Sequence, residues 1–103
     1  NTAETTTHLI EGLGTDIIPP ITDFSNVDEI VSVSDKDSID TCKRLALEEG
    51  IFAGASSGTS AFLALQAAKE LDENAVVVFI VCDTGERYLS KYHNAEWVKE
   101  NLK

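Results

Sequence analysis

Basic residues are scarce: eight Lys and Arg stand against eighteen Asp and Glu, for a net charge of −10 over 103 residues. A chain so charged repels phosphate backbones and anionic membranes, and its few cations are scattered, so nucleic acid and membrane are excluded as partners. No stretch approaches the roughly 18 consecutive apolar residues of a membrane span. Cysteine occurs only at Cys42, in a predicted helix, and Cys82, in a predicted apolar strand. Both read as small buried hydrophobes in a reducing cytoplasm, although sequence leaves their pairing open. There is no methionine at all, and no signal peptide or targeting tract, so the chain is expected to begin within something longer. Internal repeats and low-complexity linkers are also missing. Residues 8–103 therefore read as one packed segment behind a polar, threonine-rich tail at residues 1–7.

What is present alternates between strand and helix signals. His8 to Gly14 (HLIEGLG) mixes apolar residues with two glycines, and the DIIPP run at 16–20 forces an extended path, which together predict a loop over a site or a surface. Val27 to Ser34 carries Ile30, Val31 and Val33 and predicts a strand. Ser34 and Asp37 have capping-box spacing, and Ile39, Cys42, Leu45 and Ala46 recur at helical intervals up to Gly50, a preferred C-terminal cap. Ala75 to Cys82 (AVVVFIVC) has no wet face and predicts a parallel strand covered on both sides. Ala95 to Leu102 predicts a short helix packing through Trp97 and Val98. The order implies an α/β segment: an open, mainly parallel sheet with helices on both faces.

The chain is organised around Ile51 to Ser60 (IFAGASSGTS), where a short apolar run turns through small residues into a helix reaching Leu71. Gly54 and Gly58 allow a tight bend and a close approach to a ligand. The amides of Ser57, Gly58 and Thr59 are expected to stand free at the helix N-terminus, where an acceptor or anion is favoured. Together with the turn at Asp83–Gly85, this places a site beyond the carboxyl ends of two strands. Two chemistries compete there. Gly54 to Gly58 matches G-x-S-x-G, and Asp83 and His93 follow Ser56 in the order of a hydrolase triad. However, five small residues match by chance easily, and a His in a polar turn is more commonly an exposed surface residue.

The second chemistry comes with a resemblance. The segments IEGLGTDIIP (10–19), VDEIVSVSD (27–35), RLALEEGIFAGASSG (44–58) and DTGERYLSKYHNAEW (83–97) resemble, in order, the C-terminal part of the cystathionine β-synthase and cysteine synthase family of pyridoxal phosphate enzymes. The G-x-G-x-D-x-I-P form and the closing N-x-E-W resemble the cystathionine β-synthase branch, whereas GERYLS is shared with cysteine synthases. The resemblance implies that Ser56 bonds the pyridine nitrogen of pyridoxal 5'-phosphate, with Gly54 and Ala55 beside it; Asp83 is the rival partner for that nitrogen, ranked below a role orienting Ser56 or a water. It implies that Gly12, Gly14, Thr15 and Asp16 form a loop on the substrate side. It also implies an amino-acid substrate, serine or O-acetylserine, and a thiol or sulfide, giving cystathionine or cysteine. A homo-oligomer is implied as well, and no metal.

A neutral hydroxyl at the ring nitrogen leaves it largely unprotonated, which suffices to expel a β-substituent before a thiol attacks. The family's Schiff-base lysine, substrate-carboxylate loop and phosphate-cradling loop find no match. Lys36, Lys43, Lys69, Lys91, Lys99 and Lys103 all lie in polar or terminal settings. The segment is therefore expected to be inactive alone, needing the remainder of a larger catalytic fold. The non-enzymatic alternative is an α/β module that binds an anion at the Ser56–Thr59 amides.

Overall fold

The computed structural model describes residues 9–10 and 17–102. The polar tail, His8, and the Gly12, Gly14, Thr15 and Asp16 positions of the expected loop lie outside these described residues.

Helix α1 spans Asp35–Glu49 and begins where its capping signal stands: Ser34 Oγ accepts from the Asp37 amide at 3.0 Å. Asp35 and Asp37 add negative charge at the positive end of the helix. It stops at Gly50, whose φ of 69° is a left-handed conformation that costs glycine nothing, and the Gly50 amide returns to Ala46. Helix α2 spans Ala55–Lys69 with Gly54 as its N-cap, so it starts earlier than its sequence pattern implies. Helix α3, Ala95–Asn101, is capped by Asn94, whose side chain accepts from the Glu96 and Trp97 amides.

α1 and α2 are packed against each other, and Gly58 is what lets them meet. A Cβ there would stand 2.0 Å from the Ser38 carbonyl oxygen and 2.9 Å from Cys42 Cβ. Beside this crossing the hydroxyls of Thr59 and Ser38 hydrogen-bond at 2.6 Å, satisfying two polar groups that are buried between the helices. A second cluster gathers Ile10, Ile39, Ala55, Tyr88, Tyr92 and Val98, with Trp97 packed on it. Leu9 is held from both sides there, its amide on Asp35 Oδ2 at 2.8 Å and its carbonyl on the Tyr92 hydroxyl.

The expected parallel sheet does not form within the described residues. Val27–Ser34 and Ala75–Cys82 are extended without a ladder, and the one pairing is an antiparallel bridge between Ala53 and Thr84. A strand needs a neighbour for its amides and carbonyls, and neither run has one here. The 75–82 run keeps the strand period. Val77 and Phe79 are half-buried, whereas Val76, Val78 and Ile80 are 87%, 81% and 68% exposed, so one face is covered and the other bare. Among the described residues no helix is long and apolar enough to cross a membrane.

Candidate functional site

The Phe52–Gly54 segment and the Asp83–Gly85 segment run antiparallel and are stitched at three points. The Gly85 amide donates to the Phe52 carbonyl at 3.0 Å, the Gly54 amide donates to the Asp83 carbonyl at 3.4 Å, and Ala53 faces Thr84. One residue further, the Cys82 amide donates to Ser57 Oγ at 2.9 Å, fastening the end of the 75–82 run to the first turn of α2. The two turns that the sequence marks as separate exits from a sheet are thus one wall.

The first turn of α2 rises from that wall. Because the helix starts at Ala55, the amides left without an intrahelical acceptor are those of Ala55 and Ser56. Ser57 and Gly58 both give their amides to the Gly54 carbonyl, at 3.2 and 3.3 Å. This corrects the expectation of free amides at 57–59. The two serines also divide their work: Ser57 is fully buried and structural, while Ser56 is half-buried and its hydroxyl makes no hydrogen bond among the described residues.

The glycines face protein. A Cβ at Gly54 would stand 2.3 Å from Asp83 Oδ1 and 2.5 Å from Tyr88 Cε2, and Gly58 is spent on α1. Ala55 is 1% exposed, backbone included, so it packs against protein and offers a ligand almost no surface. Asp83 is half-buried over Gly54. Its Oδ2 accepts from the Tyr88 hydroxyl at 2.5 Å, and its Oδ1 is buried with no partner among the described residues. A buried acceptor without a donor is costly, so this oxygen marks a place where a donor is wanted. No hydrogen bond joins Asp83 to Ser56 among the described residues. Its carboxylate also brings negative charge to the N-cap of α2, which weakens the case for an external anion at that helix end.

The triad is not assembled. His93 Nε2 lies 2.9 Å from the Ala53 carbonyl and 3.6 Å from Cys42 Sγ, and among the described residues it has no hydrogen bond to Ser56 or Asp83. Nor is His93 an exposed surface residue: it is half-buried, with the Phe52 ring 4.7 Å away. Burial, then the nearby Asp83 carboxylate, pushes the Cys42 thiol up to about 11, so it stays protonated and donates to the Ala53 carbonyl at 3.1 Å. Cys42 and Cys82 are both free; Cys42 is buried as expected, whereas Cys82 is exposed, on a run that has no covering neighbour among the described residues.

Thr84 is the residue that sequence reasoning passed over. It is exposed on the wall opposite Ala53, and among the described residues its hydroxyl is engaged only by the Glu86 amide at 3.4 Å. A hydroxyl next to Asp83 was visible in the sequence, but nothing there showed that its residue would pair with Ala53, just before α2. A separate cavity of about 380 Å³, with Leu45, Leu65 and Phe79 in its walls, includes no residue of the Gly54–Ser56 turn.

Comparison with known proteins points the same way. Residues 1–83 match the family described as pyridoxal-phosphate dependent enzyme. A probable cysteine synthase of Bacillus subtilis is 48% identical over 83 residues, covering 81% of this chain and 27% of that protein. Cystathionine beta-synthase of Mus musculus is 36% identical over 98 residues, covering 95% of this chain and 18% of that protein. The crystal structure of O-ureido-L-serine synthase superposes with a TM-score of 0.82 at 36% identity, over 96% of this chain and 30% of that one. The chain thus spans between 18% and 27% of the length of these two curated relatives.

Proposed function

The chain belongs to the pyridoxal-phosphate dependent enzyme family, and from that premise we propose that it forms the ring-nitrogen wall of a β-replacement enzyme. That enzyme joins serine or an activated serine to a thiol or sulfide, giving cystathionine or cysteine. The α/β fold follows from the likeness to O-ureido-L-serine synthase. The open parallel sheet is our reading of the bare Val76–Ile80 face, which strands from the remainder of the enzyme would complete. The same face supports assembly into an oligomer, and the two free cysteines suit the cytoplasm.

The observation that carries the reading is the group of side-chain oxygens on one wall: the unbonded Ser56 hydroxyl and the orphaned Asp83 Oδ1. They fit a flat heteroaromatic ring that presents one nitrogen and needs a polar edge. Bound pyridoxal phosphate supplies an electron-withdrawing ring that lets the β-substituent of an amino acid leave. This chain's residues hold that ring. Ser56 would donate to the ring nitrogen and, being neutral, leave it unprotonated, with the positive end of α2 behind it. Asp83 Oδ1 accepts from a water or a donor at the same edge, steadied by Tyr88. The substrate-side role of Gly12, Gly14, Thr15 and Asp16 belongs to the same proposal.

A second reading gives the ring nitrogen to Thr84, favoured by its exposure and by its long, weak bond to the Glu86 amide. Substitution in the full-length protein separates the two. Ser56→Ala is expected to keep cofactor and lose turnover, since at least about 1 kcal/mol of hydrogen bonding goes with the hydroxyl. Ser56→Asp is expected to be worse. Full turnover in both, with loss in Thr84→Val, moves the role to Thr84; full turnover in all three removes the hydroxyl reading.

A further inference from the structure

We propose that His93 is a positioning residue whose imidazole Nε2–H, together with the Cys42 thiol, fixes the Ala53 carbonyl and thereby sets the Gly54–Ser56 turn against the Asp83–Gly85 segment. The inference deepens the cofactor-wall reading and rests on it for the link to catalysis.

The geometry is convergent. The Ala53 carbonyl has two lone pairs and receives two donors from different parts of the chain, His93 Nε2 at 2.9 Å and Cys42 Sγ at 3.1 Å. A carbonyl can only accept, so Nε2 carries the imidazole proton. Ala53 is the residue before the N-cap of α2 and the one that faces Thr84, so any shift of its carbonyl moves both halves of the wall. The imidazole is also wedged in place. The Phe52 ring lies 4.7 Å from it, and a Cβ at Gly85 would stand 2.8 Å from Nε2 and 2.6 Å from Phe52 Cε2. The Phe52 ring and the imidazole together fill the space a side chain at Gly85 would need.

The backbone completes the clamp. The His93 amide donates to the Tyr88 carbonyl at 3.2 Å, and the Tyr88 hydroxyl holds Asp83 Oδ2. One short stretch, 88–93, thus grips Ala53 through His93 and Asp83 through Tyr88, on the two sides of the bridge. Nothing in the reaction proposed above consumes His93, and among the described residues its ring bonds the backbone that carries Ser56 rather than the Ser56 hydroxyl.

Three measurements on the full-length protein test this. In the wild type, nitrogen chemical shifts of the His93 ring are expected to show the Nε2–H tautomer; an Nδ1–H tautomer overturns the proposal without any variant. His93→Gln can place an amide NH₂ near the Nε2 position, whereas His93→Asn is too short to reach. With the cofactor removed, His93→Asn is expected to raise hydrogen exchange of the Gly54 and Gly85 amides about tenfold, the factor that goes with one lost hydrogen bond. His93→Gln is expected to stay near wild type, and equal behaviour of the two variants overturns the proposal. With pyridoxal phosphate bound, the Asn variant alone is expected to change the fluorescence of the cofactor. An opened turn with an unaltered cofactor signal overturns the positioning role. If the wild-type protein takes up no pyridoxal phosphate, the cofactor reading falls, and the tautomer and exchange results still decide whether His93 holds the turn.

Discussion

At Gly58 the chain has no room for a methyl group. The obstacle at 2.0 Å is the backbone oxygen of Ser38, which cannot rotate away as a side chain would, so Gly58→Ala must push α1 and α2 apart. Overpacking of this kind costs about 2–3 kcal/mol, and urea denaturation of the variant is expected to show a loss of that size. Cys42 gives a prediction in pH. Its thiol ionises near its ordinary value in the unfolded chain and at about 11 in the fold, because burial disfavours the thiolate. The protonated thiol's contribution is therefore complete below pH 9 and is lost as pH rises through about 11, amounting to about 2–3 kcal/mol. Stability measured across that range is expected to fall more steeply in wild type than in Cys42→Ala, and parallel curves would contradict it. Single residues were only partly legible beforehand. Small residues at 54–60 announced a tight approach, but what approaches Gly54 and Gly58 is Asp83, Tyr88 and α1, none of which local spacing reveals. Nor could sequence divide Ser56 from Ser57, since one helical step decides which hydroxyl meets Cys82 and which faces outward.

Among the elements, the helices were legible because their signals are local. Ser34, Asp37 and Gly50 do at α1 what capping chemistry requires, and Asn94 does the same at α3. Ser34→Ala removes the bond to the Asp37 amide and is expected to destabilise the fold by about 1 kcal/mol, measured by thermal unfolding, whereas Ser34→Asp is expected to restore most of it. The strands were legible only as extended, apolar segments. Val77 and Phe79 turn inward and Val76, Val78 and Ile80 outward, as a strand dictates, but pairing is a property of neighbours, and no neighbouring strand is found among the described residues. The bridge that does form, Ala53 to Thr84, joins two turns rather than two predicted strands, and it depends on Ser57 and His93 contacts between residues distant in sequence.

For the whole molecule, the family resemblance carried by four ordered motifs is matched by the family assignment and by the likeness to O-ureido-L-serine synthase. A packed helix pair, an apolar face left bare and a polar wall with a hydroxyl unbonded among the described residues are the features on which the proposed function rests. In the function proposed, this chain holds the cofactor ring and a lysine outside it bonds the cofactor. The most direct test is borohydride reduction of the full-length protein loaded with pyridoxal phosphate, followed by peptide mapping of the label. The account predicts one labelled lysine, outside residues 1–103; stoichiometric label on Lys36, Lys43, Lys69, Lys91, Lys99 or Lys103, or no label on any lysine, would contradict it.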